Sequence, residues 1–302
     1  MTVDVVIVGS VALDSVKTPF GKVERALGGS ATYASVAASF FSRPGIVGIV
    51  GRDFPKEHSE FLQRRGVDLS GLSFAEGKTF HWEGEYGFDL NQATTKKTEL
   101  NVFEKFQPVL PKEYRKCGFL FLGNIQPELQ LDVLSQMNRR PKLVIADTMN
   151  LWIQTKREKV LEVVKAVDIC LMNDAEARML FKTPNLIKAA REIIRLDSEM
   201  AIIKKGEHGS ILFTEKSFFA LPGYPLENVV DPTGAGDCFA GALMGWLSKT
   251  KDLSENNFRK AMVYASTIAS FNAEGFSLDN LKKTGLADVE ERFKAFKEIV
   301  KF

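Results

Sequence analysis

The sequence predicts an α/β fold in which helices cover both faces of a mostly parallel sheet. Short apolar runs such as Val3–Val8 and Ile46–Val50 alternate along the chain with longer segments of helical periodicity. These runs are almost wholly apolar, which is typical of strands buried on both faces. Alternation of strands and helices favours parallel strands joined by crossover helices, with ligands bound at the carboxyl ends of the strands.

The same periodicity assigns the individual elements. The predicted strands are Val3–Val8, Ile46–Val50, Phe119–Leu122, Leu143–Ala146, Ile169–Met172 and Ala201–Lys204. The predicted helices are Ser30–Phe41, Lys56–Arg65, Pro127–Met137, Lys156–Ala166, Asp174–Phe181, Asn185–Leu196, Ala235–Ser248, Asn256–Ala273 and Asp288–Lys301. Because no linker or internal repeat separates them, we expect a single domain over residues 1–302.

One segment departs from this pattern. Thr79–Phe88 alternates strictly between aromatic and polar residues, which predicts a half-exposed antiparallel strand outside the parallel core. Phe80, Trp82, Tyr86 and Phe88 share one side of it. The strand is either an edge strand or a flap that covers a ligand or a partner subunit. Its predicted companion is the extended segment 14–25, which contains a proline and a glycine as breakers.

The composition argues against several classes of function. Forty basic and 38 acidic side chains leave a formal charge of +2, so we expect neither nucleic acid nor an anionic membrane as a partner. No apolar run reaches the roughly 18 residues of a membrane helix, and the first residues lack a signal-peptide pattern. The cysteines and histidines show no metal-ligand spacing, which predicts reduced thiols, no zinc site and a cytoplasmic location.

The stretch Asp231-Pro-Thr-Gly-Ala-Gly-Asp237 carries the strongest chemical signal. Its glycines precede a helix of small residues, and such a helix start offers free N–H groups and the positive end of the dipole to an anion. Asp237 is suited to accept a proton from an attacking hydroxyl, although an aspartate there also serves as a helix cap. Phosphoryl transfer needs both a cradle for the moving group and a base that orients the nucleophile.

This stretch and the helix that follows it to Met244 resemble the carboxyl-terminal signature of the PfkB carbohydrate kinase family. The similarity continues in order over nearly the whole chain. The resemblance implies a three-layer α/β/α ribokinase-like domain with a small β-strand lid, and transfer of phosphate from ATP to a hydroxyl. It implies that Gly234, Ala235 and Gly236 form the anion hole and that Asp237 is the catalytic base. A P-loop motif is absent.

The resemblance also implies an acceptor site near the amino terminus. Gly28, Gly29 and Ser30 precede a helix, and in the family the di-glycine lets sugar hydroxyls approach the backbone, although alone it is a turn with a serine cap. Asp14 corresponds to an aspartate that accepts two hydrogen bonds from substrate hydroxyls, a task suited to a charged acceptor. Tyr33 stands where the family usually has a substrate-binding asparagine, so its phenol either replaces that contact or reshapes the pocket.

Two further motifs resemble the family's ATP site. Asn173 and Glu176 match its NxxE motif, which implies that Glu176 holds Mg²⁺ through water; alone, the pair is a helix cap and its capping-box mate. The loop that runs from Lys204 through Gly206 to Gly209 resembles the family's nucleotide loop, in which the backbone and the first residue lie along the ATP phosphates.

The resemblance extends the ATP site into the last third of the chain. We expect Thr233, Gly234 and Gly236 to contact the nucleotide, and the loop around Gly275 matches the region that holds adenine. Many family members also bind a monovalent cation such as K⁺ between this loop and the strand that leads to Asp231. Asp147–Trp152 resembles fructokinase-like members, but Leu151 stands where they often carry an arginine just after the asparagine, which argues against an acidic sugar or a sugar phosphate.

The sequence therefore predicts a kinase that phosphorylates a hydroxyl of a small sugar or polyol. In the family, segments equivalent to 14–25 and 79–100 form a lid that closes over the active site and often clasps the lid of a second subunit, so we expect a homodimer through the lid. Asn101, where the chain returns to the core, is a further candidate for contact with substrate. The alternatives are a nucleoside kinase of the same fold and a non-catalytic regulator that binds a sugar or a nucleotide.

Overall fold

The computed structural model describes residues 2–301, which fold into two sheets and two layers of helices. Met1 and Phe302, which belong to the predicted domain, lie outside this range. The strands are β1 (Val5–Val8), β2 (Ala12–Thr18), β3 (Gly21–Gly28), β4 (Pro44–Gly51), β5 (Asp68–Ala75), β6 (Phe80–Tyr86), β7 (Ala93–Glu99), β8 (Phe119–Leu122), β9 (Leu143–Asp147), β10 (Ile169–Asn173), β11 (Met200–Lys204), β12 (Ser210–Phe213) and β13 (Phe218–Leu221).

The helices follow the predicted alternation with the strands. They are α1 (Ser30–Ala38), α2 (Lys56–Arg64), α3 (Pro127–Ser135), α4 (Asn150–Thr155), α5 (Arg157–Ala166), α6 (Asp174–Phe181), α7 (Leu186–Arg195), α8 (Ala235–Thr250), α9 (Glu255–Ala273), α10 (Asp279–Lys283) and α11 (Leu286–Ile299). All nine predicted helices are present, with ends that differ by a few residues. The short helices α4 and α10 were not predicted.

The central sheet contains nine strands in the order β13-β12-β11-β10-β9-β8-β1-β4-β5. The strands from β11 to β5 are parallel, and β12 is antiparallel both to β11 and to the edge strand β13. The first strand, β1, pairs with β4 on one side and with β8 on the other. The chain order therefore reverses beside β1, and such a switch point is where α/β sheets bind ligands.

Both faces of the central sheet are buried. In β1 the side chains of Val5 and Ile7 pack against one helical layer, which contains α1, α8 and α9, while Val6 and Val8 pack against the other, which contains α3 and α5. Successive residues of a strand point to opposite faces, so a strand buried on both faces must be apolar at every position. The predicted α/β fold with helices on both faces is confirmed.

The two helices next to the functional motifs cross at very short range. A Cβ placed on Gly241 of α8 would overlap the carbonyl oxygen of Ala34 in α1, and a Cβ on Gly245 would lie 2.7 Å from the carbonyl oxygen of Ala38. The small residues of α8 therefore have a packing role, because they allow the backbones of the two helices to touch. This crossing fixes the start of α8 relative to the start of α1.

A second sheet, which we call the small sheet, has the strand order β3-β2-β6-β7. Its strand β6 confirms the predicted strand at Thr79–Phe88, but β6 is antiparallel to β7 alone and parallel to β2. The predicted companion segment 14–25 is confirmed as the hairpin β2–β3. The strand β7 was not predicted, because its sequence ATTKKTE is polar and mostly exposed.

Polar contacts join the strands of the small sheet. Ser15 Oγ lies 3.0 Å from His81 Nε2, and His81 Nδ1 lies 3.0 Å from Glu99 Oε2, so one chain of side chains crosses β2, β6 and β7. The register of β2 and β3 shifts at Ser15, and the N–H of Arg25 donates to Ser15 Oγ at 3.0 Å. The serine thereby satisfies a donor that the bulge removes from the ladder.

One carboxylate connects the small sheet to the core. Asp53 Oδ1 accepts from the N–H and the hydroxyl of Thr79 at 2.6 and 2.8 Å, at the start of β6, and Asp53 Oδ2 accepts from Arg25 Nη2 at 2.7 Å. Burial opposes the charge on Asp53, but these hydrogen bonds and the charge of Arg25 hold its pKa below the usual value. Asp53 thus links β3 and β6 where both approach the central sheet.

Two further features concern the chain as a whole. No helix among residues 2–301 is long and apolar enough to cross a membrane. All three cysteines, Cys117, Cys170 and Cys238, are buried as free thiols.

Candidate active site

Two predicted site residues, and Asp147 beside them, lie at the carboxyl ends of neighbouring parallel strands. Asp147 ends β9, Asn173 ends β10 and Lys204 ends β11. Because these strands are adjacent and parallel, the three side chains reach the same edge of the sheet. The turn before α8 faces this edge, since a Cβ on Gly236 would lie 3.0 Å from Lys204 Nζ.

The turn before α8 leaves donors free for an anion. Gly234 adopts a left-handed conformation (φ 76°) as the residue before the helix, a position that favours glycine. The N–H of Thr233 donates to Asp231 Oδ1 at 2.9 Å and that of Ala235 donates to the carbonyl of Pro232 at 3.1 Å. The N–H groups of Gly234, Gly236 and Asp237 donate to no acceptor within residues 2–301. The turn therefore presents unsatisfied N–H groups at the positive end of a sixteen-residue helix.

Asp237 lies in the first turn of α8 beside these donors. Burial raises the pKa of its carboxyl to about 7, and the negative charge of Asp147 adds to the increase, while the ammonium of Lys204 opposes it. A carboxyl with a pKa near 7 is ionised in an appreciable fraction at neutral pH and is a stronger base than an exposed aspartate. Its position and its pKa both suit a general base.

A buried ion pair lies next to the turn. Lys204 Nζ is 2.6 Å from Asp147 Oδ2, and both side chains are largely buried. Burial opposes the charge on the ammonium, but the carboxylates of Asp147 and Glu176 raise the pKa of Lys204 above its usual value. Lys204 therefore supplies a fixed positive charge beside the free N–H groups.

Asn173 and Glu176 form a capping box at the start of α6. The N–H of Glu176 donates to Asn173 Oδ1 at 2.8 Å, and the N–H of Asn173 donates to Glu176 Oε2 at 2.7 Å. Burial, followed by the charge of Asp147, raises the pKa of Glu176 to about 8. One oxygen of this carboxylate is thus engaged by the backbone, while the charge of the group is poorly compensated and would be stabilised by a cation.

The predicted acceptor residues lie at the junction of β2, β3 and α1. The buried carboxylate of Asp14 accepts from the N–H of Gly29 at 3.3 Å, and a Cβ on Gly28 would overlap that carboxylate. Burial raises the pKa of Asp14 to about 7, and the charges of Asp231 and Asp237 add to this although the bond from Gly29 opposes it. The charge of Asp237, the base candidate, therefore affects the carboxyl of Asp14.

Tyr33 is fully buried beneath the anion-binding turn. A Cβ on Gly234 would overlap its ring, so the ring packs directly against that glycine. Burial, and then the charges of Asp14 and Asp231, raise the pKa of Tyr33 well above its usual value. Its hydroxyl is buried without a hydrogen-bond partner in the part of the chain that the structure describes. Tyr33 therefore contacts both the anion-binding turn and the acceptor region.

Two other predicted acceptor residues make contacts within the protein. Ser30 Oγ accepts from the N–H of Ser10 at 3.1 Å and lies 3.2 Å from Ser10 Oγ, which ties the start of α1 to the loop after β1. Asn101 Nδ2 donates to the carbonyl of Thr79 at 3.0 Å, near the root of β6. Their side chains thus have structural partners beside the acceptor region.

The predicted nucleotide loop joins β11 to β12. Both of its glycines have positive φ, at 57° for Gly206 and 83° for Gly209, and a Cβ on Gly209 would overlap the carbonyl of Leu221. The loop follows Lys204 directly in the chain, and Lys204 Nζ would lie 3.0 Å from a Cβ on Gly236 at the start of α8.

Two residues of the site were not selected from the sequence. Asp147 could have been found, because it ends a predicted strand just as Asn173 and Lys204 do. Tyr86 lies at the end of β6, and its hydroxyl is 3.3 Å from Thr233 Oγ1, although 147 positions separate the two in the sequence. No sequence pattern indicates such a contact.

Comparisons with known proteins bear on the family and the fold. The model of the family described as pfkB family carbohydrate kinase matches residues 4–283. The cytidine kinase of Thermococcus kodakarensis is 31% identical over 257 residues, which cover 83% of this chain and 91% of the relative. The crystal structure of the Methanocaldococcus jannaschii nucleoside kinase has a TM-score of 0.77 at 20% identity, over 97% of this chain and 99% of that one. A structure assigned to ribokinase II of E. coli, in complex with ATP and Mg²⁺, has a TM-score of 0.78 at 18% identity, over 96% and 99%.

The two structural similarities establish a ribokinase-like fold, and the named relatives are kinases, so the protein is a phosphotransferase. More specifically, the chain belongs to the pfkB family of carbohydrate kinases.

Proposed function

We propose that this kinase transfers the γ-phosphoryl group of ATP to a hydroxyl of a sugar moiety, with Asp237 as the base. One observation carries the proposal: a buried carboxyl whose pKa is raised to about 7 adjoins free N–H groups at a helix start. Asp237 accepts the proton of the acceptor hydroxyl, and the N–H groups of the turn stabilise charge on the moving phosphoryl group. Lys204 adds positive charge at the same place.

The remaining residues divide between the two substrates. For the acceptor, we propose contacts with Asp14, the backbone of Gly28 and Gly29, and the region of Ser30, Tyr33 and Asn101. For ATP, we propose contacts with Asn173, Lys204, Gly206, Gly209, Thr233, Gly234, Ala235 and Gly236. The carboxyl of Asp14 suits hydroxyl groups, because an ionised acceptor makes the stronger hydrogen bonds.

The residues around Glu176 fit Mg²⁺. Mg²⁺ is usually bound by one or two carboxylates together with water and substrate phosphates, and not by a cage of protein ligands. No three His, Cys, Asp or Glu side chains within residues 2–301 converge on one point, whereas Glu176 offers a buried carboxylate beside the negative charge of Asp147. When bound, Mg²⁺ would neutralise phosphate charge, and Glu176 would orient its water ligands.

The region before the turn also fits a monovalent cation. Asn272 donates to the carbonyl of Thr233 at 2.8 Å, and its own Oδ1 is buried without a partner among the described residues. The buried carboxylate of Asp231 accepts from Thr233 and Ser277 nearby. A buried oxygen that lacks a donor is suited to a cation such as K⁺.

A nucleoside is the second candidate for the acceptor. The observation that favours it is the similarity to the T. kodakarensis cytidine kinase, which extends over most of both chains. A sugar or polyol, the acceptor predicted from the sequence, would need the same contacts at Asp14, Gly28 and Gly29. A homodimer through the small sheet and a cytoplasmic location remain predictions.

The proposal is tested by release of ADP from Mg·ATP in the presence of sugars, polyols and nucleosides. We expect an acceptor-dependent signal that Asp237→Asn lowers by about 100- to 10,000-fold, because a general base contributes this much to the rate. Asp252→Asn, which changes an aspartate in the loop after α8, should retain the wild-type rate.

ATP binding by Asp237→Asn, measured by calorimetry, should persist. Retention of more than about a tenth of the rate would contradict the role of Asp237 as a base. Wild-type protein that phosphorylates no acceptor would contradict the proposed reaction.

A further inference from the structure

The hairpin β6–β7 touches the nucleotide side of the active site at two points. The hydroxyl of Tyr86, at the end of β6, lies 3.3 Å from Thr233 Oγ1. In the turn that follows, Asn91 Nδ2 donates to Glu207 Oε1 at 3.2 Å, and a Cβ on Gly206 would overlap Asn91 Oδ1. The small sheet, whose strands adjoin the acceptor residues, therefore also contacts the two segments proposed to hold ATP.

Tyr86 is placed among the reacting groups. Burial raises the pKa of its phenol to about 12, and the negative charges of Asp231, Asp14 and Asp237 add to the increase although the contact with Thr233 opposes it. The phenol therefore stays protonated at neutral pH, and its oxygen accepts from the hydroxyl of Thr233. Thr233 is held in turn, because its N–H donates to Asp231 and its carbonyl accepts from Asn272.

Asn91 is fixed from both sides. Its N–H donates to Asp89 Oδ1 at 3.0 Å and its Nδ2 donates to the same oxygen at 3.1 Å, so its side chain is oriented within the hairpin before it meets Glu207. Gly206 has a positive φ of 57° and carries no side chain, which lets Asn91 lie directly against the backbone of the nucleotide loop. Phe88, between the two contacts, is 93% exposed, so the hairpin does not simply pack against the core along its length.

We infer that Tyr86 and Asn91 form a two-point latch through which the small sheet closes against the nucleotide side, so that ATP and the acceptor favour each other's binding. This inference rests on the proposed function. A bound nucleotide that orders the loop at Gly206 and the turn at Thr233 fixes the two segments that Asn91 and Tyr86 contact. The closed small sheet then retains the acceptor, and by linkage the acceptor strengthens nucleotide binding by the same factor.

Tyr86 and Asn91 are positioning residues, and the experiment measures coupling as well as rate. Acceptor affinity is measured by calorimetry with and without a non-hydrolysable ATP analogue, in wild type, Tyr86→Phe, Asn91→Ala and the double variant. We expect the analogue to tighten acceptor binding by roughly fivefold or more in wild type, within the usual range of such couplings. The factor should fall in each single variant and approach one in the double variant. Phe88→Ala is the matched control, with wild-type coupling.

A second measurement does not depend on the identity of the acceptor. Amide hydrogen exchange of residues 80–99 should slow when the ATP analogue is added to wild type, and this protection should disappear in the double variant, which still binds the analogue. Unchanged protection and coupling in the double variant would overturn the latch. If wild type phosphorylates no acceptor, the proposed function fails, and the nucleotide-dependent protection still decides the latch by itself.

Discussion

The central sheet and the small sheet are held together by different forces. The inner strands of the central sheet are apolar and buried on both faces, and the packing of their side chains is non-directional. In the small sheet, Leu13 of β2 and Leu27 of β3 belong to the main core. The outer strands β6 and β7 depend instead on directional polar contacts, such as those of His81 with Ser15 and Glu99 and that of Asp53 with Thr79. A region with few buried apolar contacts opens at low cost. We infer that the central sheet, which carries the proposed reacting groups, is rigid and that the small sheet is able to move.

The buried carboxyls beside the central sheet should determine how the reaction rate depends on pH. Because burial raises the pKa of Asp237 to about 7, a base that must be ionised loses activity as the pH falls through 7. We expect kcat/KM to fall by close to tenfold for each pH unit below about 6, and more steeply if protonation of Asp14 also weakens acceptor binding. Steady-state kinetics between pH 5 and 9 would measure this.

The control for this prediction replaces the three histidines by glutamine. If the fall of kcat/KM at low pH then shifted or disappeared, a histidine and not the buried carboxyls would cause it. The small sheet should affect this pH dependence little. In Asp53→Ala, the midpoint of the fall of kcat/KM at low pH should therefore be the same as in wild type.

A substitution where α1 crosses α8, behind the anion-binding turn, would test how tightly these two helices pack. A methyl group on Gly241 would overlap the carbonyl of Ala34, so Gly241→Ala should lower the free energy of unfolding by about 1–3 kcal/mol, although alanine is the better helix former. Chemical denaturation would measure the change. In Gly118→Ala the new Cβ would lie 3.7 Å from the nearest side chain, so this control should stay within about 0.5 kcal/mol of wild type. Equal stabilities of the two variants would show that the crossing relaxes.

The most local effect is expected where the small sheet meets the core. Asp53→Ala removes three hydrogen bonds and should destabilise the small sheet locally, by roughly 1–3 kcal/mol, because bonds to a charged group exceed neutral ones in strength. Amide exchange should accelerate in β6 and β7 and stay unchanged in β1 and β8. Asp252→Ala, outside this junction, should accelerate neither. Equal acceleration in both sheets would mean that the two regions unfold as one unit.

The two regions also differ in how far the sequence predicts them. The central strands are recognisable because burial on both faces demands apolar residues at every position. The strand β7 could not be predicted, because its polar residues are held by pairing with β6 and not by burial. The strand β5 is interrupted by Gly71, and β13 is short and half-exposed, so neither shows a clear periodicity.

The same limit applies to the site. The positions of Asp147, Asn173 and Lys204 follow from parallel strands that end side by side, and the anion-binding turn follows from its glycines. The position of Tyr33 beneath Gly234 depends on how α1 crosses α8, and the contact of Tyr86 with Thr233 depends on the orientation of the small sheet. Such contacts arise from tertiary packing between distant segments, which periodicity does not encode.

The burial of all three cysteines has a practical consequence. Burial raises the thiol pKa values of Cys117, Cys170 and Cys238, so the reactive thiolate is scarce at each site. Thiol-directed dyes should therefore label the three native cysteines only slowly. A cysteine introduced at the exposed tip of the small sheet, as in Phe88→Cys, would be labelled selectively by a fluorophore. Single-molecule fluorescence could then follow the movement of the small sheet during turnover.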